Sequence, residues 1–194
     1  MKEYRFRYGD GEVVIPLDEG QVLGALHGNH VPAAASIPDT LRAALENPIG
    51  LPPLRQWTKP GERVALVVSD MSRFWMRQDK VVPPLVDYLR DECGIPEDHV
   101  TIIVANGTHD GGDEKELRTL VTDGVYDRVR VVNHDCLAKD LVYLGTTAHD
   151  TPVWINAEAA HADRVICLGA CTHHVMAGFG GGRKSILPGI SGME

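Results

Sequence analysis

Four short runs rich in Val and Ile, Arg63–Val68, Val100–Ala105, Val129–Val132 and Arg164–Leu168, set the tightest limit on the fold. None keeps the strict apolar–polar alternation of a half-buried strand, so each is expected to be covered on both faces. Helical patterns lie between them. Pro83–Arg90 has proline near its start, and Asp113–Val121 has acidic residues in its first turn, where they favour the helix dipole. Strands alternating with helices argue an α/β fold, a mostly parallel open sheet flanked by helices. Ahead of it, Glu3–Arg7 and Glu12–Ile15 flank Gly9-Asp10-Gly11 and read as a small N-terminal hairpin. Gly28–Pro38 reads as a loop. A helix opens at Pro38-Asp39-Thr40 and is broken by Pro48–Pro53. Asp140–Leu144 and Val153–Ile155 read as further short strands, and Asn156–Asp163 as a short helix.

Charge and cysteine usage remove several functional classes. The chain of 194 residues carries 19 Lys and Arg against 27 Asp and Glu, a formal charge of −8. That balance suits neither a nucleic-acid backbone nor an anionic membrane surface. No apolar run approaches the ~20 residues that span a bilayer. The segment Met1–Tyr8 lacks the apolar core of a signal peptide. Cys93, Cys136, Cys167 and Cys171 are too scattered for a disulfide framework and do not complete a zinc set. Reduced thiols and a cytoplasmic location are expected.

In parallel α/β sheets, function gathers in loops at the carboxyl ends of strands. Three such loops are polar. The first is Ser69-Asp70-Met71-Ser72-Arg73-Phe74-Trp75, the second Asn106-Gly107-Thr108-His109. The third runs from Cys171 through His173 and His174 to Gly180-Gly181-Gly182-Arg183-Lys184-Ser185. A Walker A loop needs glycine immediately before its Lys-Ser, and Arg183 stands there, so a nucleotide triphosphatase is disfavoured. A glycine cluster still lets backbone N–H groups approach an anion. Lys184 is a candidate covalent or electrostatic handle for a carbonyl or carboxyl group. Arg73 can clamp a phosphate or carboxylate, with Asp70 orienting it. His109 and His174 come from different loops and can serve opposite faces of one substrate as acid and base. The other histidines, apart from His173, are assigned to structural roles.

These segments, in order, resemble the nickel-pincer lactate racemase family. Its Ser-Asp-x-Thr-Arg-Pro loop compares with Ser69-Asp70-Met71-Ser72-Arg73-Phe74, and its Ala-Asn-Gly-Thr-His stands unchanged as Ala105 to His109. Its Pro-His segment leading into Gly-Phe-Ser-Gly-Gly-x-Lys and Pro-Gly compares with His173-His174, Gly178 to Lys184 and Pro188-Gly189. Leu141–Thr147 and Thr151–Asn156 also look like the family's middle region.

The resemblance implies that residues 1–194 form an N-terminal, cofactor-anchoring catalytic domain. The implied cofactor is a nickel pyridinium-3,5-bisthiocarboxylic acid mononucleotide, covalently held by Lys184, with Asp70, Ser72 and Arg73 in the loop that binds it. The implied acid/base residues are His109 and His174, and the substrate is a small 2-hydroxy acid that exchanges a hydride with the cofactor. Four departures bear on the substrate: Met71 where the family tends to carry Arg, Phe74 in place of Pro, Thr172-His173 in place of Glu-Pro before the second histidine, and Gly180 in place of Ser. A 2-hydroxy acid other than lactate is expected. Family members continue into a second domain that supplies a further nickel ligand. Residues 1–194 are therefore expected to be a truncated piece, inactive and without cofactor by themselves, with no metal ligand of their own. The alternative is a non-catalytic module that binds a phosphorylated small molecule through the glycine loop and Arg73. A nicotinamide dehydrogenase is weaker still, because no Gly-x-Gly-x-x-Gly follows the first long strand.

Overall fold

β1 (Lys2–Tyr8) and β2 (Gly11–Leu17) pair antiparallel from Lys2↔Leu17 to Tyr8↔Gly11, as the turn residues between them predict. The computed structural model describes residues 1–193. Its contacts divide the chain into two units, Met1–Ala34 and Ala35–Glu194. The hairpin belongs to the first.

The second unit holds the predicted sheet. Its elements in chain order are α1 (Ile37–Glu46), α2 (Leu54–Trp57), β3 (Val64–Ser69), α3 (Val82–Asp91), β4 (Val100–Ala105), α4 (Glu114–Val121), α5 (Asp123–Tyr126) and β5 (Arg130–Asn133). Then follow β6 (Val142–Thr146), β7 (Pro152–Ile155), α6 (Ala157–Ala160), β8 (Arg164–Cys167), β9 (His173–His174), β10 (Gly178–Phe179) and α7 (Arg183–Ile186). Four strands form one parallel sheet in the order β5-β4-β3-β8. Alternate residues of β3 and β4 explain why those runs are apolar throughout. Val64, Leu66, Val68, Ile102 and Val104 pack with Leu85 and Leu89 of α3 and Leu117 and Leu120 of α4. Ala65, Val67 and Ile103 face the other way, onto Ile155, Ala159 and Ile190. Each face is therefore dry, which a polar residue at any of these positions would break.

The segment between β6 and β7 is too short for the crossover that a parallel pair needs. These two strands form a separate antiparallel hairpin, with a register shift between Tyr143 and Gly145. The pair His173–His174 also differs from the expected loop: it is a two-residue strand paired with Gly178–Phe179. Among the described residues, no helix is long and apolar enough to cross a membrane.

The strand order matters for position. β3 comes first in the sheet, β4 and β5 are added on one side, and β8 on the other. The chain leaving β3 continues into α3 on one face of the sheet, whereas the chain leaving β8 continues into α7 on the other. The carboxyl ends of the strands are where open α/β sheets leave a crevice.

Candidate functional site

A cavity of about 210 Å³ opens at that end of the sheet, lined by Arg73, Asn106, His109, His174, Lys184 and Ser185 among others. The three polar loops thus converge. Asp70 and Ser72 are not among its lining residues; they stand next to Arg73 and His109 and hold them.

Asp70 is the hub. Its Oδ1 accepts from Ser72 Oγ at 2.5 Å and from the Arg73 guanidinium at 3.3 Å. Arg73 also donates to Ser72 Oγ at 2.8 Å. Asp70 Oδ2 lies 2.5 Å from His109 Nδ1. Burial acts to raise the Asp70 carboxyl, but the hydrogen bonds from Ser72 and His109 and the nearby positive charges outweigh it and hold it below the usual carboxylate range. With Nδ1–H donated to the carboxylate, the lone pair of His109 is on Nε2.

The depressed Asp70 value makes a prediction for acid unfolding. A carboxylate held below its unfolded value stabilises the fold above that unfolded value, about pH 4, and the contribution is lost as pH falls through the folded value. Urea midpoints measured from about pH 6 down to about pH 2 should therefore fall more steeply for the wild-type chain than for Asp70→Asn. Parallel curves would contradict this assignment.

His174 is held differently. Its Nδ1 accepts from the backbone N–H groups of Met176 at 3.2 Å and Ala177 at 3.1 Å. In the neutral ring the proton then sits on Nε2. The two histidines of the cavity thus hold opposite tautomers, His109 with a free Nε2 lone pair and His174 with an Nε2–H. Adjacent His173 is exposed and stacks on Phe179, with ring centroids 5.1 Å apart.

Lys184 stands on α7, in the first turn after Gly182, rather than in the glycine loop itself. Burial, and then the neighbouring Arg73 guanidinium, push its ammonium below the ordinary lysine value, with Asp70 opposing. The glycine run divides its labour. Gly180 N donates to Thr172 O at 2.7 Å. A Cβ on Gly181 would meet Ala170 O at 2.7 Å, so this position admits no side chain. Two of the three glycines therefore serve close chain packing rather than anion approach. Gly189 plays the same part further on: a Cβ there would strike the Ser185 carbonyl. Its own carbonyl accepts from Gly107 N at 2.9 Å, tying the α7 segment to the loop of His109.

Asn106 belongs to the motif that ends at His109, and residue type alone assigns it no role. It is 3% exposed and lines the cavity. Its Nδ2 donates to Asn133 Oδ1 at 3.1 Å and His134 O at 3.0 Å, which fixes the amide's orientation. Its Oδ1 has no partner, the one such buried side-chain atom among the described residues. An unpaired buried acceptor costs about 1–3 kcal/mol, so a donor from a bound group is the natural complement. Nothing in the sequence marks that atom; only the two donated bonds reveal it. His134, assigned a structural role, is buried, and its Nε2 lies 2.9 Å from Ser191 O.

The chemistry of the donor set bears on what the cavity can hold. Arg73 and Lys184 offer positive charge, Lys184 a nucleophilic amine, and Asn106 a spare acceptor, which together suit an anionic nucleotide-like group with hydroxyls. Among the described residues, no group of three or more His, Cys, Asp or Glu could hold a metal ion.

Residues 8–194 match the model of the lactate racemase N-terminal domain. The chain is 28% identical over 197 residues to a lactate racemase of Thermoanaerobacterium thermosaccharolyticum, covering 100% of this chain and 46% of that protein. It is 30% identical over 154 residues to a lactate racemase of Lactiplantibacillus plantarum, covering 79% of this chain and 36% of that protein. The solved lactate racemase apoprotein from T. thermosaccharolyticum superposes with a TM-score of 0.86 at 28% identity, covering 98% of this chain and 44% of that one. The chain therefore spans less than half the length of the relatives it matches.

Proposed function

Since the chain belongs to the lactate racemase N-terminal domain family, we propose that it is the cofactor-anchoring half of a 2-hydroxyacid racemase or epimerase. The reading is carried by one observation: His109 from the loop after β4, and His174 and Lys184 from β9 and α7 after β8, line one cavity at the crevice of the sheet. The group implied is the nickel-pincer mononucleotide, held covalently by Lys184, with Asp70, Ser72 and Arg73 forming the anchoring loop. When bound, it supplies a reversible acceptor for the hydride of the substrate Cα.

The residues of this chain orient the substrate and move its hydroxyl proton. The Nε2 of His109 is the base, because Asp70 fixes Nδ1–H and stabilises the imidazolium that forms. His174 offers Nε2–H to the same cavity and is the donor. Inversion of the carbon requires the planar 2-keto acid to regain its hydrogen on the opposite face, and His174 would then return a proton to its oxygen. The lowered Lys184 has more neutral amine at neutral pH than an ordinary lysine, which suits a nucleophile. Arg73 meets an anionic group, and its bonds to Asp70 and Ser72 keep it aimed there.

The substrate follows from Met71. Its side chain packs against the core beside Phe74, so this position sends no cation towards the cavity. The substrate is a 2-hydroxy acid other than lactate, with a bulkier or more apolar side chain. The test is a screen of the full-length protein, loaded with cofactor, against enantiopure 2-hydroxy acids, with chiral analysis of the products. Inversion of an acid other than lactate is expected. Fastest inversion of lactate would overturn the substrate assignment. No inversion of any acid, with tight binding of a phosphorylated small molecule, would favour the non-catalytic module.

A further inference from the structure

β3 pairs with β4 as far as Ser69, but with β8 only as far as Val67. Val67 O accepts from Leu168 N at 2.8 Å, so this residue faces β8. Strand alternation turns the N–H and C=O of Ser69 to the same side, where β8 has ended. Left alone, both buried groups would be orphans. Gln78, 1% exposed, fills the gap. Its Oε1 accepts from Ser69 N at 3.2 Å and its Nε2 donates to Ser69 O at 2.9 Å. One side chain takes the place of the missing strand. It also closes the loop bearing Asp70, Ser72 and Arg73 onto its own root.

The loop of His109 is fastened in the same way. Asn133 ends β5; its Oδ1 accepts from Gly112 N at 3.1 Å and its Nδ2 donates to Gly112 O at 2.7 Å. The same Oδ1 accepts from Asn106 at the other end of that loop. The two fastened loops meet at the Asp70–His109 hydrogen bond. We infer that Gln78 and Asn133 are positioning residues, paired amide clamps that hold the Asp70 and His109 loops in register with each other. The inference rests on the functional reading above only in treating Asp70–His109 as the proton-handling pair.

The test separates a clamp from a buried filler. In the full-length protein without cofactor, Gln78→Met and Asn133→Leu keep volume and lose both hydrogen bonds. Val86→Ala, in the core of α3, serves as a control for general loss of stability. Relative to that control, hydrogen exchange should quicken about tenfold at residues 70–77 for the first variant and 107–112 for the second, the factor that ~1.4 kcal/mol gives. The carbon-13 titration midpoint of the Asp70 carboxylate should rise in both. Gln78→Glu keeps the acceptor for Ser69 N–H and loses the donor, so it tests the same loop should the Met variant not fold. Exchange rates and an Asp70 midpoint that track the control variant would overturn the inference. None of these readouts needs turnover, so a failed racemisation assay and a failed clamp test remain separate results.

Discussion

Lys184→Ala in the full-length protein is expected to abolish both covalent attachment of the cofactor and racemisation. Among the described residues that line the cavity, Lys184 supplies the amine. Its ammonium is pushed down by burial and by Arg73, so the reactive neutral form is more accessible than in a solvated lysine. Alanine offers no nucleophile. Lys184→Arg keeps a positive charge but replaces the amine by a guanidinium that stays protonated. Both variants should show the mass of the bare polypeptide by intact mass spectrometry, and product of unchanged chirality by chiral chromatography. An Arg variant that still gains mass would remove Lys184 from the anchoring role. One that stays bare but still inverts substrate would show that the covalent bond is dispensable.

His109→Ala and His174→Ala should each lower turnover by about 10²–10⁴-fold, the usual worth of a positioned acid or base. Attached cofactor mass should be unchanged in both, because neither ring holds Lys184. The hydrogen bonds predict a third, linked result. Asp70→Asn can present an amide donor to His109 Nδ1, which drives the ring proton to Nε2 and removes the base. Its turnover should fall in the same sense as that of His109→Ala. The double variant, Asp70→Asn with His109→Ala, should fall little further than either alone, since the two act as one unit. Wild-type inversion by either histidine variant would sink its assigned role.

Much of the fold is legible in the sequence because the physics behind it is local. The runs at 63–68 and 100–105 form central strands that are largely buried, as doubly covered strands are, whereas those at 129–132 and 164–168 form edge strands that are only partly buried. All four appear in the parallel sheet, within a residue or two at their ends. The hairpin of β6 and β7 is readable as strands but not as a separate sheet, since pairing partners are chosen by loop length and tertiary space. The short strand at His173–His174 escapes a sequence reading because two residues carry no periodicity. Lys184 reads as part of a glycine loop because composition does not distinguish an open loop from glycines consumed by close packing at Gly181 and Gly189.

The sequence by itself determined the layer architecture, the three polar strand ends and the family motifs they carry. These depend on residue type and spacing, which the chain states outright. What the tertiary structure decided was which atoms meet. Asp70 is 39 positions from His109 in the chain yet shares a hydrogen bond with it. The opposite tautomers of His109 and His174, the unpaired Oδ1 of Asn106 and the Gln78 clamp on Ser69 likewise arise between groups whose contact no local pattern encodes. They exist because the order of the strands brings distant loops to one crevice, and a buried hydrogen bond is defined only when both its ends are in place.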